Sequence, residues 1–260
     1  MGTDRYAYLS RLRDVDPAPK IVLSFAILLG AVVLPSAAAG LFTLLSAFLL
    51  NVFSGGQKPR VVGHFLKIPL VFLLIGALTI VLRPLPQEAQ AIWSGMLLGR
   101  WRWGITAEQL RLGLTVFCRA MGAVSAMYFL SLNTPMTDLA TALRRLHVPK
   151  LFVELMELIY RFIFLLSDAA RQIHIAQDSR LGYEGFRRSM HSMGALVSMV
   201  FLRALRRGDR VFAALESRGY TGSLDTLPKP YAPGRWLYAL CPVLLAGQAV
   251  IFYWERRWLS

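Results

Sequence analysis

The sequence has only two cysteines, Cys118 and Cys241, in 260 residues. Both lie in apolar segments, and two thiols are too few for a disulfide framework or a thiolate metal cluster. We interpret them as packing residues. The four histidines are scattered, and the one pair with helical spacing, His174 with Asp178, lacks a third ligand nearby. The sequence therefore predicts no bound metal.

Acidic residues are also scarce, with 15 Asp and Glu against 29 Lys and Arg, a formal net charge of +14. No nucleic-acid-binding motif accompanies this charge, so we predict no nucleic-acid partner. No glycine-rich loop ends in Gly-Lys-Ser/Thr, and no Ser/His/Asp constellation marks a nucleophile. The sequence therefore predicts neither catalytic residues nor a cofactor held by this chain, and we expect a protein that is not an enzyme.

The sequence is rich in long apolar runs, with 55% hydrophobic residues and a mean hydropathy of +0.48. Runs of this length are typical of an integral membrane protein. We predict an all-α membrane protein with about five transmembrane helices, at residues 21–34, 37–53, 68–82, 105–132 and 236–254. The first two could instead form one long helix broken at Pro35, since membrane helices tolerate proline.

Two features of the apolar part are unusual. Residues 83–104 contain Pro84 and Pro86 and three tryptophans, a composition that suits the membrane–water interface. Arg119 falls deep in the fourth predicted span, where a charge costs on the order of 3 kcal/mol or more. We predict that Arg119 is a structural charge paired with backbone carbonyls or with a partner subunit, because the other four spans contain no acidic residue.

The polar block from Thr134 to Arg235 separates the last span from the others and holds many of the basic residues. Because basic loops stay on the cytoplasmic side, we place the N-terminus and this block in the cytoplasm. The predicted domains are a membrane part with four spans and the Trp-rich interfacial segment, a cytoplasmic domain with a pair of long amphipathic helices, and a C-terminal transmembrane helix, at residues 1–132, 133–235 and 236–260.

Two long helices are predicted in the cytoplasmic domain, at residues 149–180 and 186–217, because apolar residues recur there at three- and four-residue steps. Both end in a serine followed by an arginine: Ser179-Arg180-Leu181 and Ser217-Arg218-Gly219. Gly182 and Gly219 are the expected cap residues, since glycine takes the left-handed conformation readily. The small side chain of Ala214 would let another surface approach the second end closely.

The chain resembles the EcfT family, the transmembrane coupling subunits of energy-coupling-factor (ECF) transporters, and most closely its cobalt-type CbiQ branch. The resemblance covers nearly the whole chain. The motifs that carry it are Asp16-Pro17-Ala18-Pro19-Lys20, Asn133-Thr134-Pro135, Leu143-Arg144-Arg145-Leu146-His147-Val148-Pro149, Tyr160-Arg161-Phe162 and, most specifically, Ala214-Leu215-Glu216-Ser217-Arg218-Gly219-Tyr220-Thr221-Gly222.

The resemblance implies that Ser179, Arg180 and Leu181, and Ser217, Arg218 and Gly219 with Ala214, dock into two ATP-binding-cassette (ABC) ATPase subunits. Those subunits would bind ATP and Mg²⁺, while a separate CbiM-like membrane subunit would bind the substrate, with a CbiN-like small subunit as an optional further component. Both motifs carry serine where the family often has alanine, and the first lacks a directly following glycine.

The implied function is coupling in an ATP-driven importer, for cobalt and in support of cobalamin biosynthesis, in a bacterial or archaeal cytoplasmic membrane. Nickel or another ECF substrate is the main alternative. A membrane scaffold outside the ECF class, or a secondary transporter, is a further alternative. A secondary transporter would need ionisable residues at mid-membrane and broken repeats, and four of the five predicted spans hold no ionisable residue.

Overall fold

The described part of the chain is mostly helical. The computed structural model describes residues 4–85, 93–98, 101–220, 222 and 229–259. A π-helical turn, Leu50–Ser54, directly follows the helix that ends at Leu49. The α-helices within the described ranges are α1 (Asp4–Leu9), α2 (Pro17–Val33), α3 (Ala37–Leu49), α4 (Pro59–Val81), α5 (Ala107–Asn133), α6 (Met136–Arg145), α7 (Lys150–Asp178), α8 (Phe186–Glu216) and α9 (Arg235–Leu259).

The chain forms two compact units. The first comprises Met1–Asp138 and Pro230–Ser260, and the second comprises Leu139–Lys229. The second unit is thus one continuous insertion between α5 and α9. Its limits fall a few residues inside the 133–235 domain predicted from the sequence.

Among the described residues, four helices of the first unit are long and apolar enough to cross a membrane: α3 with its π-helical turn, α4, α5 and α9. The fifth predicted span, α2, has 17 residues, which is the lower end of what a bilayer requires. Many of its large apolar side chains, and those of α4, are exposed, as expected of surfaces that face lipid. The predicted class, an all-α multi-pass membrane protein, is confirmed.

The Pro35-Ser36 pair separates two helices, as the hairpin reading predicted. α2 ends at Val33, and Ser36 caps α3 by accepting a hydrogen bond from the backbone nitrogen of Ala39 at 3.0 Å. Proline cannot continue the hydrogen bonding of α2, and serine is a favoured N-cap residue. The alternative of one long helix broken at Pro35 is therefore wrong.

The third span begins earlier than predicted. The span was predicted at residues 68–82, which left Arg60 and Lys67 in the loop before it, but both lie within α4, which starts at Pro59. Proline at the first helical position is favoured, because its missing N–H group would have no partner there. The basic residues misled the prediction, since their long side chains stay exposed on a helix as readily as in a loop.

α3 and α5 approach each other backbone to backbone. A Cβ atom added to Gly40 would lie 2.6 Å from the backbone of Cys118 and Arg119, and one added to Gly122 would lie 2.6 Å from the Gly40 carbonyl oxygen. Small residues permit such close crossings of membrane helices. The hydrophobic core of this unit brings together Leu23 and Ile27 of α2, Phe129 of α5 and other buried side chains.

The Trp-rich segment forms strands, which the sequence analysis did not predict. β1 (Arg83–Leu85) and β2 (Trp93–Leu98) both pair antiparallel with β3 (Trp101–Ile105), giving the order β1-β3-β2. Residues 86–92 and 99–100 of this segment lie outside the described residues. Its predicted place at the membrane interface stays a prediction.

The second unit is built on the two predicted long helices. α7 has 29 residues and α8 has 31, which makes each about 45 Å long at 1.5 Å per residue. Glu157 of α7 pairs with Arg144 of α6, with 3.1 Å between guanidinium and carboxylate. No residue of α8 is buried by the described part of the chain.

Candidate functional site

The end of α7 is closed by a compact set of hydrogen bonds around Arg180. The backbone nitrogens of Leu181 and Gly182 donate to the carbonyl oxygens of Asp178 and Gln177, each at 2.9 Å. Leu181 takes the left-handed conformation, with φ of 57°. This pattern is a Schellman motif, in which the left-handed residue and the one after it bond back to the last turn of the helix.

The end of α8 repeats this arrangement around Arg218. The backbone nitrogens of Gly219 and Tyr220 donate to the carbonyl oxygens of Glu216 and Leu215, each at 3.0 Å. Gly219 is the left-handed residue, with φ of 76°. Arg180 and Arg218 therefore occupy the same position, immediately before the left-handed residue of a Schellman motif.

The serines before the arginines also match. The Ser179 hydroxyl donates to the carbonyl oxygen of Ile175, and the Ser217 hydroxyl donates to that of Ala213, both at 2.8 Å. Each bond runs four residues back along the helix, to the same carbonyl that accepts from the serine backbone nitrogen. The two helix ends are thus alike in both backbone and side-chain hydrogen bonding.

Both arginines are exposed. Within the described residues, neither guanidinium has a hydrogen-bond or ion-pair partner. A cation at a helix C-terminus is stabilised by the helix dipole, by about 0.3 to 1 kcal/mol. The chain therefore presents two fixed positive tips, each able to form paired hydrogen bonds to a carboxylate or to carbonyl oxygens of another protein.

Ala214 is exposed and lies one turn before Arg218, on the same face of α8. The sequence analysis missed its counterpart, Ala176, which is exposed in the same position relative to Arg180. The signal was present in the residues before the two arginines, which read Ala176-Gln177-Asp178-Ser179-Arg180 and Ala214-Leu215-Glu216-Ser217-Arg218. A small residue beside each arginine leaves room for a partner's surface to approach the helix backbone.

The expectation that Gly182 takes the left-handed conformation is wrong, because Leu181 takes it at the end of α7, while Gly182 contributes its backbone nitrogen to the cap. Gly182 is required for a different reason. A Cβ atom there would lie 2.8 Å from both the Gln177 carbonyl oxygen and the Ser192 hydroxyl oxygen. The Ser192 hydroxyl donates to the Gly182 carbonyl oxygen at 2.7 Å, which ties the end of α7 to the start of α8.

The surroundings of the first tip are basic. An open groove of about 730 Å³ beside Arg180 is also lined by Arg187, Arg188, His191 and one acidic residue, Glu184. Glu184 lies 3.8 Å from Arg188, so it offsets only part of the charge. Thr221, which follows the second tip, lies outside the described residues.

Arg119 donates hydrogen bonds to the carbonyl oxygens of Ala31, at 3.3 Å, and of Val32. These carbonyls belong to the last turn of α2, where they lack a partner within the helix. Across the same turn, the Glu255 carboxylate accepts from the Ser36 hydroxyl and from the Ala38 backbone nitrogen at the start of α3. Opposite charges thus lie at the two helix ends where the dipole favours each.

No group of three or more His, Cys, Asp or Glu side chains in the described part of the chain is placed to hold a metal ion. The candidate site therefore consists of the two arginine-bearing helix ends. The fold and this site define a multi-pass helical membrane protein that carries two exposed, arginine-bearing helix ends on one inserted unit.

The chain belongs to the CbiQ family of cobalt transport proteins, whose family model matches residues 10–229. It is 33% identical over 225 residues to the cobalt transport protein CbiQ of Salmonella typhimurium, covering 85% of this chain and 97% of that one. It is a transmembrane component of an energy-coupling-factor transporter.

Two further relatives extend the comparison. The chain is 32% identical over 221 residues to a fused cobalt transport protein CbiMQ of Methanocorpusculum labreanum, covering 85% of this chain and only 37% of that relative. It is 28% identical over 232 residues to the energy-coupling factor transporter transmembrane protein EcfT of Lacticaseibacillus paracasei, covering 83% of each chain.

Proposed function

We propose that this protein couples ATP hydrolysis by two ABC-type ATPase subunits to import of cobalt ions through a separate substrate-binding membrane subunit. The observation that carries the proposal is the identical hydrogen bonding around Arg180 and Arg218. Two matching tips suit a pair of ATPases with matching grooves. ATP and Mg²⁺ are bound by those ATPases, and this chain binds no cofactor.

The tips dock by charge-assisted hydrogen bonds. A guanidinium is planar and always charged, so it makes paired, directional bonds to a carboxylate or to carbonyl oxygens in a groove. The exposed Ala176 and Ala214 let the groove wall contact the helix beside each arginine. Ser179, Leu181, Ser217 and Gly219 hold the two backbones in the conformation that projects the arginines.

α7 and α8 carry the motion. Each is a continuous helix of about 45 Å, and a helix transmits a displacement of its end along its length with little bending. When the ATPase pair closes on ATP, the tips move with it. The exposed apolar faces of α7 and α8 then pass this motion to the substrate-binding subunit by shear or rotation.

The proposed substrate-binding partner is CbiM-like, with a CbiN-like small subunit as a further component. The fusion of a CbiM part with a CbiQ part in the relative from Methanocorpusculum supports this partner, since fusion joins proteins that work together. Cobalt is the proposed ion because the family is described by cobalt transport. Nickel is the alternative ion, and the experiment below must distinguish it from cobalt.

The proposed location is the cytoplasmic membrane of a bacterium or archaeon, with the N-terminus and the second unit in the cytoplasm. The basic character of the second unit supports this orientation, because basic segments next to membrane spans are retained there. The ATPases and their ATP are then on the same side as the two tips.

Co-purification and ion uptake test the proposal. The chain is co-expressed with its candidate ATPase and substrate-binding subunits, purified as a complex and reconstituted into liposomes with ATP inside or outside. The expected result is a complex with two ATPase subunits per chain and ATP-dependent uptake of Co²⁺ in preference to Ni²⁺, Zn²⁺ and Mn²⁺. Uptake that needs no ATPase would indicate a secondary transporter, and a complex without uptake would indicate a scaffold.

A further inference from the structure

The chain passes twice between its two compact units. It leaves the first unit after Asp138, just beyond the end of α5, and it returns to that unit at Pro230, before α9. We call these passages the outgoing and the returning crossing. A motion of the second unit can reach the membrane helices along the chain through these crossings, and flexible crossings would dissipate it.

The outgoing crossing is anchored by Lys20, which is fully buried in α2. Its ammonium donates hydrogen bonds to the carbonyl oxygens of Asn133, at 3.2 Å, and of Leu12, at 3.0 Å. Burying an ammonium is costly unless its donors are satisfied. Lys20 therefore contributes through its hydrogen bonds and not only through the volume of its side chain.

The side chain of Asn133 extends this anchor. It accepts a hydrogen bond from the Ser10 hydroxyl at 2.6 Å and donates to the Asn51 side-chain oxygen at 2.8 Å. Asn133 and Asn51 are both fully buried. The last residue of α5 is thus bound to the N-terminal segment and to the π-helical turn after α3, and buried networks in which each member is bonded are rigid.

The returning crossing is held by the same N-terminal segment. The backbone nitrogen of Ala232 donates to the Asp14 carbonyl oxygen at 2.8 Å, and the backbone nitrogen of Asp16 donates to the Ala232 carbonyl oxygen at 3.1 Å. In addition, the Tyr231 hydroxyl donates to the Asp138 carboxylate at 3.1 Å, which joins the returning crossing directly to the outgoing one.

We propose that residues 10–20 form a rigid collar around the two crossings, in which Lys20 is the positioning residue that makes the membrane helices follow the second unit. The collar is continuous with α2, because Asp16 caps that helix and Lys20 lies in its first turn. A displacement of either crossing therefore shifts α2. This inference rests on the coupling function proposed above and adds the route by which motion enters the membrane.

The test is the number of ATP molecules hydrolysed per ion imported by the reconstituted complex. In Lys20→Met, which keeps the length of the side chain and removes its donors, this ratio is expected to rise about threefold or more while the ATPase subunits stay bound. Lys20→Arg, which keeps a charged donor, is expected to restore part of the coupling. Lys67→Met, an exposed lysine in α4, is the matched control with an unchanged ratio.

Tyr231→Phe is the second variant, for the case that Lys20→Met fails to assemble. It removes only one hydroxyl, so we expect the fold to stay intact. We expect a higher ratio of ATP to ion with unchanged thermal stability of the complex, whereas Tyr238→Phe, an exposed tyrosine of α9, behaves as wild type. A purely structural role of the collar would lower the thermal stability and leave the ratio unchanged, and that result would overturn the inference.

Wild type and Arg218→Ala are measured in the same assay, so that the two proposals are tested separately. If wild type shows no ATP-driven uptake, the coupling function fails and the collar inference fails with it. If wild type transports, Arg218→Ala is impaired, and both collar variants keep the wild-type ratio, the collar inference alone is overturned.

Discussion

Leu181 and Gly219 adopt the same left-handed backbone conformation, with φ of 57° and 76°. Each follows the arginine at the end of a long helix and accompanies the same pattern of hydrogen bonds. Leucine at this conformation costs on the order of 1 kcal/mol relative to glycine. The first tip thus keeps its geometry although its residue type is unfavourable.

The left-handed conformation gives a first prediction. Gly219→Ala is expected to destabilise the end of α8 by about 1 kcal/mol, because a Cβ atom is strained at positive φ. Hydrogen exchange of the Gly219 and Tyr220 amides, measured on the purified protein, should then become about fivefold faster.

Gly208→Ala is the matched control. Gly208 lies within α8 and a Cβ atom there meets no neighbour within 4 Å, so alanine should stabilise the helix by up to about 1 kcal/mol. Equal exchange rates in Gly219→Ala and wild type would contradict the described conformation of the second tip.

Gly182→Ala tests the turn between α7 and α8. The new methyl group would lie within 2.8 Å of the Gln177 carbonyl oxygen, which belongs to the backbone and cannot move aside cheaply. We expect a loss of about 1 to 3 kcal/mol in the free energy of unfolding. Protease cleavage within the turn should be faster.

The control for this variant is Gly194→Ala, because Gly194 lies nearby in α8 and has open space around it. If both variants resist protease as well as wild type, the close contact of Gly182 with Gln177 and Ser192 is not present in solution.

Arg119→Met tests the pairing of this charge with the end of α2. Removing the guanidinium leaves the carbonyl oxygens of Ala31 and Val32 without their donors, which should cost about 1 to 3 kcal/mol of stability. The measurement is thermal unfolding in detergent, where Arg119→Lys should recover part of the loss.

Arg111→Met is the comparison, since Arg111 is exposed in the same helix. We expect it to unfold as wild type does. If Arg119→Met unfolds at the wild-type temperature but blocks transport, Arg119 has a functional role and is not a structural charge.

Periodicity and capping signals were sufficient for much of the fold. The apolar runs located α2, α3, α5 and α9, and the three- and four-residue spacing located α7 and α8. These signals placed the start of α4 too late, because basic residues are compatible with both loops and exposed helix faces. They failed at the three strands, whose antiparallel pairing depends on contacts between distant residues.

The positions of both tip arginines at helix ends could be predicted from local sequence, because the signal for a helix end is contained in a few neighbouring residues. The left-handed conformation of Leu181 could not, because intrinsic preference favours the neighbouring glycine. The burial of Lys20 could not be predicted from the sequence either. Its partners Leu12 and Asn133 come together only in the folded first unit.

The most direct test of the central claim is the affinity of the purified ATPase pair for this chain in its tip variants. We predict that Arg180→Ala and Arg218→Ala each weaken binding by about 2 to 5 kcal/mol, because a partner carboxylate or carbonyl is left buried without its donor. Arg203→Ala, which removes an exposed arginine in the middle of α8, should bind as wild type does. Wild-type affinity in the double variant Arg180→Ala, Arg218→Ala would contradict the account.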